Sequence, residues 1–321
     1  MFKSAPWIEK YRATSLDAVQ DQDIAVKIAK KIMELGRMPI NLIFVGPPGT
    51  GKTTIAKIIA KDLLGKDAIT NLLEKNASEE VRMKFLRTIL KNFISVFTPN
   101  GKDKIVILDE ADNIPSVDQQ ALRRIIEKSH KNCKFILICN YLSEIISPIQ
   151  SRCAIIRFGT ISDAGIKDII ASILSEERLE LPITLDKFSK ITNSACNGDV
   201  RLLVNTLQAC DKTKPIESFR SLLGIINPSV LRAFYLSIIK GRYDKVLKNL
   251  NIMQLVSPRH FLLQLENYIL EKSNLSENLK AKMCRIIADY DERLTLSGNQ
   301  EIQLLGCIAK LCFVFGGDNN E

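Results

Sequence analysis

No apolar run in the 321-residue chain approaches the ~18 residues that a membrane-crossing helix needs. The longest, Leu304 to Phe315, is interrupted by Lys310, so no membrane partner is expected. The first residues, Met1-Phe2-Lys3-Ser4-Ala5-Pro6-Trp7, lack the apolar centre of an export signal, and export is not expected either. None of the eight cysteines (133, 139, 153, 196, 210, 284, 307 and 312) stands at Cys-x-x-Cys spacing, and His130 and His260 do not complete a four-ligand zinc pattern. Cysteines inside apolar runs, such as Cys139 at the end of Phe135–Cys139, read as small buried hydrophobes in a reducing compartment. There is no internal repeat and no low-complexity tract. With 46% hydrophobic and 25% charged residues the chain is not disordered; its length suits two domains or three small ones.

Acidic residues fall short of basic ones, 36 against 45, for a net charge of +9. The shortfall is local. Residues 1–158 hold 25 basic and 17 acidic side chains, residues 159–224 are net −1, and residues 225–321 are net +2. A basic first domain on near-neutral followers points to a polyanionic partner there. A plain solubility charge is the competing explanation.

Short apolar β-type runs alternate with amphipathic stretches through the first half. Strands are expected at Asn41–Val45, Ile69–Glu74, Lys104–Leu108, Phe135–Cys139 and Ala154–Phe158, apolar on both faces as buried parallel strands are. Helices are expected between them at Asp21–Leu35, Lys52–Leu64, Glu79–Phe93 and Asp118–Lys128. This alternation predicts a three-layer α/β domain over residues 1–160. Strand signals then fade. Residues 161–224 read as a small helical module (Asp163–Glu177, Asp186–Cys196 and Asp199–Asp211, with an Asn197-Gly198 stop and Asp199 capping the next start). Residues 225–321 read as all-helical, with helices at Ser229–Lys240, Asp244–Leu255, Arg259–Glu271, Ser276–Leu296 and Gln300–Phe315.

Gly46-Pro47-Pro48-Gly49-Thr50-Gly51-Lys52-Thr53 fits the phosphate-loop pattern, after an expected strand and at the start of an expected helix. Glycines let backbone N–H groups curl around phosphates, and the helix N-terminus adds a favourable dipole. Lys52 reaches the β- and γ-phosphates, and Thr53 can ligate Mg²⁺. Ile105-Val106-Ile107-Leu108-Asp109-Glu110-Ala111-Asp112 is the matching second motif. Asp109 leaves a buried strand beside the phosphate loop, where a carboxylate holds the Mg²⁺ shell. Glu110 is placed to orient and polarise an attacking water. Asn140 ends the next strand, either hydrogen-bonding the γ-phosphate or the water, or serving as turn chemistry. Arg201 occupies the first turn of a helix, where the dipole disfavours a cation, so it seeks an anion or is ordinary surface arginine. Arg152, before the last strand, carries the same two readings.

Pro6-Trp7-Ile8-Glu9-Lys10-Tyr11-Arg12, the phosphate loop, Asp109-Glu110-Ala111-Asp112, Gln119-Gln120-Ala121-Leu122-Arg123-Arg124, Pro148-Ile149-Gln150-Ser151-Arg152-Cys153 and Gly198-Asp199-Val200-Arg201 occur in this order. Together they resemble the small subunits of replication factor C, the sliding-clamp loader of eukaryotes and archaea, over residues 6 to about 220. The resemblance implies an AAA+ fold: a P-loop three-layer domain with a parallel sheet, a helical lid, and an all-α collar that joins subunits into a hetero-pentamer. Bacterial relatives carry a Cys-rich zinc insertion between the nucleotide motifs, and no Cys lies between Lys52 and Asp109 here.

The resemblance further implies ATP and Mg²⁺ as cofactors, with Thr53 and Asp109 on the metal and residues Gly46 to Thr54 around the phosphates. Ile8, Arg12, Val19 and Gln20 would cradle the adenine. Asn140 and Arg201 would be the first and second sensors, and Arg152 the finger offered to the adjacent subunit's ATP. Other loader subunits, a PCNA-like sliding clamp and primer–template DNA are the implied partners, DNA replication and repair the processes, and the nucleus the location. Arg87, Arg123 and Arg124 are the expected DNA-phosphate contacts, with Arg82 as an addition. Three departures stand out: Ala13 where proline is usual, Val81-Arg82 where the family has Arg-Gly, and Asn113-Ile114-Pro115 after the second motif. Two rivals remain: another AAA+ remodelling ATPase, which needs an exposed pore-loop aromatic, and a scaffold subunit that binds ATP without hydrolysing it.

Overall fold

A parallel strand covered by helices on both sides has no solvent face, so every position can be apolar. The computed structural model describes residues 6–77, 83–96, 103–129, 132–179, 183–210, 215–250, 257–273 and 275–316. Its strands are β1 (Asn41–Val45), β2 (Leu72–Asn76), β3 (Lys104–Asp109), β4 (Cys133–Cys139) and β5 (Cys153–Arg157). They form one five-stranded sheet in the order β2-β3-β4-β1-β5, every pairing parallel. The helices of this unit, residues 1–208, are α1 (Trp7–Lys10), α2 (Asp23–Glu34), α3 (Lys52–Leu64), α4 (Ala68–Asn71), α5 (Met83–Ser95), α6 (Ser116–Ser129), α7 (Ser147–Gln150), α8 (Asp163–Glu177), α9 (Leu185–Cys196) and α10 (Val200–Ala209).

Alternate residues of the central strands point to opposite layers. Leu42 and Phe44, Ile105 and Ile107, and Ile136 and Ile138 pack with Ala25, Ala29 and Ile32 of α2 and Ile55 and Ile59 of α3. Ile43 and Val45, Val106 and Leu108, and Phe135 and Leu137 pack with Leu90 of α5 and Leu122 and Ile126 of α6. The three-layer expectation holds. Cys133, Cys139 and Cys153 are buried in the second of these cores, as small hydrophobes, and burial pushes each thiol up to about 12.

Two local expectations are corrected. The strand expected over Ile69–Glu74 is instead the short α4 followed by β2 at Leu72–Asn76. Nor are all strands covered on both faces: β2 and β5 lie at the sheet edges, and β2 has no fully buried residue. The helix expected from Glu79 is described from Met83. α1 and a helix at Pro215–Leu222 have no counterpart in the expected set.

Residues 209–321 form the second compact unit. Its helices are α11 (Pro215–Leu222), α12 (Pro228–Ile239), α13 (Tyr243–Leu250), α14 (Pro258–Lys272), α15 (Glu277–Leu296) and α16 (Gln300–Gly316). Phe234, Phe261, Leu265, Met283, Ile308 and Leu311 are fully buried in its core. Among the described residues no helix is long and apolar enough to cross a membrane.

One buried charge binds the sheet to a helix end. Lys104, 3% exposed at the start of β3, donates to the carbonyls of Phe93 and Val96, the orphan acceptors at the end of α5. Its ammonium also lies 5.0 Å from the centre of the Phe93 ring. Burial holds its pKa below the ordinary lysine value. Lys104→Met keeps the stem but strands both carbonyls, so stability should fall by about 1–3 kcal/mol. Denaturant unfolding checks this, with faster amide exchange over residues 88–95; an unchanged midpoint would mean that water satisfies those carbonyls equally well.

Candidate nucleotide site

The carboxyl ends of β1, β3 and β4 are neighbours in this strand order, and they lead to the expected site residues Gly46, Asp109 and Asn140. β1 runs into the phosphate loop, which the chain can trace only with glycine. Gly46, Gly49 and Gly51 have φ of 154°, 70° and 95°, and a Cβ on Gly46 would lie 2.3 Å from the Phe158 carbonyl oxygen. Gly51 precedes α3, which starts at Lys52 and turns its N-terminal N–H groups to the loop.

Lys52 is buried, and its ammonium donates to the carbonyls of Gly46 (2.6 Å) and Pro47 (2.6 Å) and to Asn140 Oδ1 (3.1 Å). Burial lowers its pKa, opposed chiefly by the charge of Asp109. Thr53 Oγ1 donates to Asp109 Oδ2 at 2.7 Å, bringing the two expected metal ligands together. A hydroxyl and a carboxylate are hard oxygen donors, the set that suits Mg²⁺. Asp109 Oδ1 accepts from the Glu110 N–H at 2.9 Å. Glu110 itself has φ 53°, a conformation costly for a non-glycine residue, and its Oε2 accepts from Asn113 Nδ2 at 3.2 Å. Asn113 is one of the departures noted above. Asp112 Oδ2 accepts from the N–H groups of Asn140 (2.8 Å) and Tyr141 (3.3 Å), fixing the residue that meets Lys52.

A cavity of ≈ 360 Å³ opens over these groups, within the usual range for small-ligand sites. Its lining includes Pro48, Gly49, Thr50, Gly51, Lys52, Thr53, Thr54, Asp109, Glu110, Asn140 and Arg201, and on its other side Ile8, Arg12, Val19 and Gln20. Nearly the whole expected nucleotide set is therefore gathered in one place. Gly46 and Pro47 are not in the lining and serve through the carbonyls that hold Lys52. Arg12 Nε is a buried donor with no acceptor among the described residues, which fits a polar ligand at that wall. Arg152 does not line this cavity. Of the expected DNA contacts, Arg123 is half-buried and Arg124 exposed on α6, Arg87 lies on α5, and Arg82 lies outside the described residues.

Several lining residues went unforeseen: Tyr11, Ala18, Asn76, Ile161, Ile169 and Val204. Asn76 pairs in register with Asp109 at the end of β2. A polar residue closing a strand beside the metal motif was the available signal, hidden by the misplaced β2.

The N-terminal segment and the helical module close the cavity. Trp7 N–H donates to Gln208 Oε1 (3.0 Å), and Tyr11 and Lys10 reach Glu177 Oε1 at 2.8 and 2.7 Å. Asp21 Oδ2 accepts from the Ser162 N–H (2.7 Å), and Gln22 exchanges two hydrogen bonds with the Gly159 backbone (2.9 and 3.2 Å). Opposite, Asp199 Oδ1 caps α10 through the Leu202 N–H (3.0 Å), and the Val200 N–H donates to the Gly49 carbonyl (3.3 Å).

Comparison with known proteins follows the same division. Residues 42–160 match the profile of the ATPase family associated with various cellular activities (AAA), and residues 226–310 match the replication factor C C-terminal domain. The replication factor C small subunit of Methanosarcina barkeri is 36% identical over 324 residues, spanning 96% of each chain. Replication factor C small subunit 1 of Pyrobaculum aerophilum is 36% identical over 313 residues, spanning 95% of this chain and 93% of its own. Among solved structures, the Thermotoga maritima RuvB Holliday junction branch migration motor superposes with a TM-score of 0.53 at 19% identity, covering 79% of this chain and 91% of its own. That likeness speaks for the fold alone.

Gly49 tests the seam between loop and lid. A Cβ there would lie 1.8 Å from Asp199 Oδ1, on a backbone with φ 70°. Strain of about 1–3 kcal/mol, if relieved only by giving up the bound loop conformation, corresponds to a loss of nucleotide affinity of about 5- to 150-fold in Gly49→Ala. Titration with a fluorescent ATP analogue checks it; parental affinity would mean that Asp199 swings away without cost.

Proposed function

The chain belongs to the replication factor C small-subunit family of AAA ATPases, and on that premise we propose that it is an ATP-hydrolysing subunit of a clamp loader. In this reading ATP binding orders a hetero-pentameric ring that grips an open sliding clamp and primer–template DNA, in the nucleus. Hydrolysis then releases the closed clamp on DNA. The observation that carries the reading is the cavity in which Lys52, Thr53, Asp109, Glu110, Asn140 and Arg201 face a mixed wall of Ile8, Arg12, Val19 and Gln20.

The chemistry is phosphoryl transfer to water. Lys52 exchanges its carbonyl partners for the β- and γ-phosphate oxygens. Thr53 and Asp109 would hold Mg²⁺, which supplies neutralising charge on those oxygens. Glu110 accepts a proton from the attacking water, Asn140 hydrogen-bonds that water or the γ-phosphate, and Arg201 carries the presence of the γ-phosphate into α10. Arg152, outside its own chain's cavity, is offered to the neighbour's ATP.

The rivals fare less well. Of the aromatics before the second motif, Phe93 packs against the core beside Lys104; Phe97 lies outside the described residues. A non-hydrolysing scaffold would not need Glu110 beside Asp109 at the cavity, held in a costly conformation.

Lys52→Ala should weaken ATP binding and abolish turnover together, whereas Glu110→Gln should bind ATP normally and fail to hydrolyse it. Equilibrium binding alongside steady-state ATPase separates the two, and a parental rate in Glu110→Gln would refute its assignment. For the DNA surface, Arg123→Ala/Arg124→Ala in the assembled loader should weaken primer–template binding without sequence preference and reduce the steepness of its salt dependence. An unchanged salt slope would leave α6 a merely solvated basic face.

A further inference from the structure

Arg152 and Arg123 meet at one carboxylate oxygen. Glu127, in the last turn of α6, accepts through Oε1 from Arg123 Nε at 2.9 Å and from Arg152 at 2.6 Å. The other terminal nitrogen of Arg152 donates to the Pro148 carbonyl (2.6 Å) and to Ser151 Oγ (3.2 Å). The planar guanidinium is thus held by Glu127 on one side and by the α7 turn on the other. All three charged side chains are about one-third exposed, at 37%, 35% and 36% for Arg123, Glu127 and Arg152. Ion pairs this wet contribute little to stability, so stability alone gives no reason to bring two arginines to one acid. The Arg123 hydrogen bond, and then the charges of both arginines, hold the Glu127 carboxyl below the usual range.

We infer that Glu127 is a positioning residue for Arg152, and that by sharing Oε1 with Arg123 it makes the aim of Arg152 depend on what Arg123 binds. The inference rests on the reading of Arg152 as acting on the adjacent subunit's ATP. A guanidinium accelerates phosphoryl transfer only where it is already oriented, and a carboxylate–guanidinium pair supplies that orientation. One negative charge here serves two cations. A DNA phosphate that takes over Arg123 withdraws one of the two guanidinium groups that share Oε1, which tightens the hold on Arg152 and speeds the neighbour's hydrolysis. α6 is the physical link, since it carries Arg123, Arg124 and Glu127 on one rigid 14-residue element.

The test uses the assembled loader and single-turnover hydrolysis at the adjacent subunit's site, with and without primer–template DNA. Glu127→Ala should slow that site by about 10- to 100-fold, the cost of a misaimed catalytic group, and should flatten the response to DNA. Glu127→Gln, which keeps the acceptor oxygen and drops the charge, should fall between. ATP affinity at this chain's own site should not move in either variant, which separates positioning from misfolding. In an Arg152→Ala background, Glu127→Ala should add nothing. If Arg152→Ala slows the adjacent site while both Glu127 variants hydrolyse at the parental rate, or if the two defects multiply, Glu127 does not position Arg152. If Arg152→Ala itself leaves the adjacent site untouched, the reading of Arg152 in trans falls, and this inference with it.

Discussion

A lysine ammonium removed from water must be given oxygen in return, and at Lys52 that requirement dictates the arrangement around it. Two of its acceptors are carbonyls of the phosphate loop and the third is the amide oxygen of Asn140. The loop has to curl back on itself, which only positive-φ glycines allow, and β4 has to end beside β1. The strand order does this by placing β4 between β1 and β3, so that Asn140 and Asp109 reach the same cavity from adjacent strands. A phosphate supplies better oxygens than carbonyls do, so the same constraint that shapes the loop suits it to phosphate.

Much of this was legible where local chemistry is strong. β1 and α3 lie at the expected bounds because an apolar run ends at Gly46 and an amphipathic one ends at Gly65. α8 does too, because Ser162 caps its start, accepting from the Gly165 N–H. The Asn197-Gly198 stop is real, with both residues at positive φ. Legibility failed where context decides. Ile69 is apolar yet 93% exposed on the short α4, so hydropathy alone drew the strand too early. α1 is a single turn of four residues, too short to display a period, and is held by Gln208 and Glu177 from far along the chain.

Site residues divide the same way. Lys52, Thr53, Asp109 and Glu110 announce themselves by spacing in contiguous motifs. Ile161, Ile169 and Val204 reach the cavity only through tertiary packing, and nothing in their neighbours marks them. Glu127 is a further case: its sequence context, a charged residue on a surface helix, suggests a solvated face. Only the fold brings Arg152 to it, across 24 residues of intervening chain (128–151) that include β4.

Asp21 and Gln22 immediately follow the cavity-lining residue Gln20, and their side chains grip the backbone at Gly159 and Ser162, where the sheet domain hands over to the helical module. Space is so short there that a Cβ on Gly165 would fall 2.4 Å from Asp21 Oδ2. The segment that lines the cavity is therefore also the one that fastens the sheet to the helical module. A displacement of that wall cannot stay confined to it, because the adjoining two residues hold the start of the module, so the wall and the module's first turn are fixed as one piece.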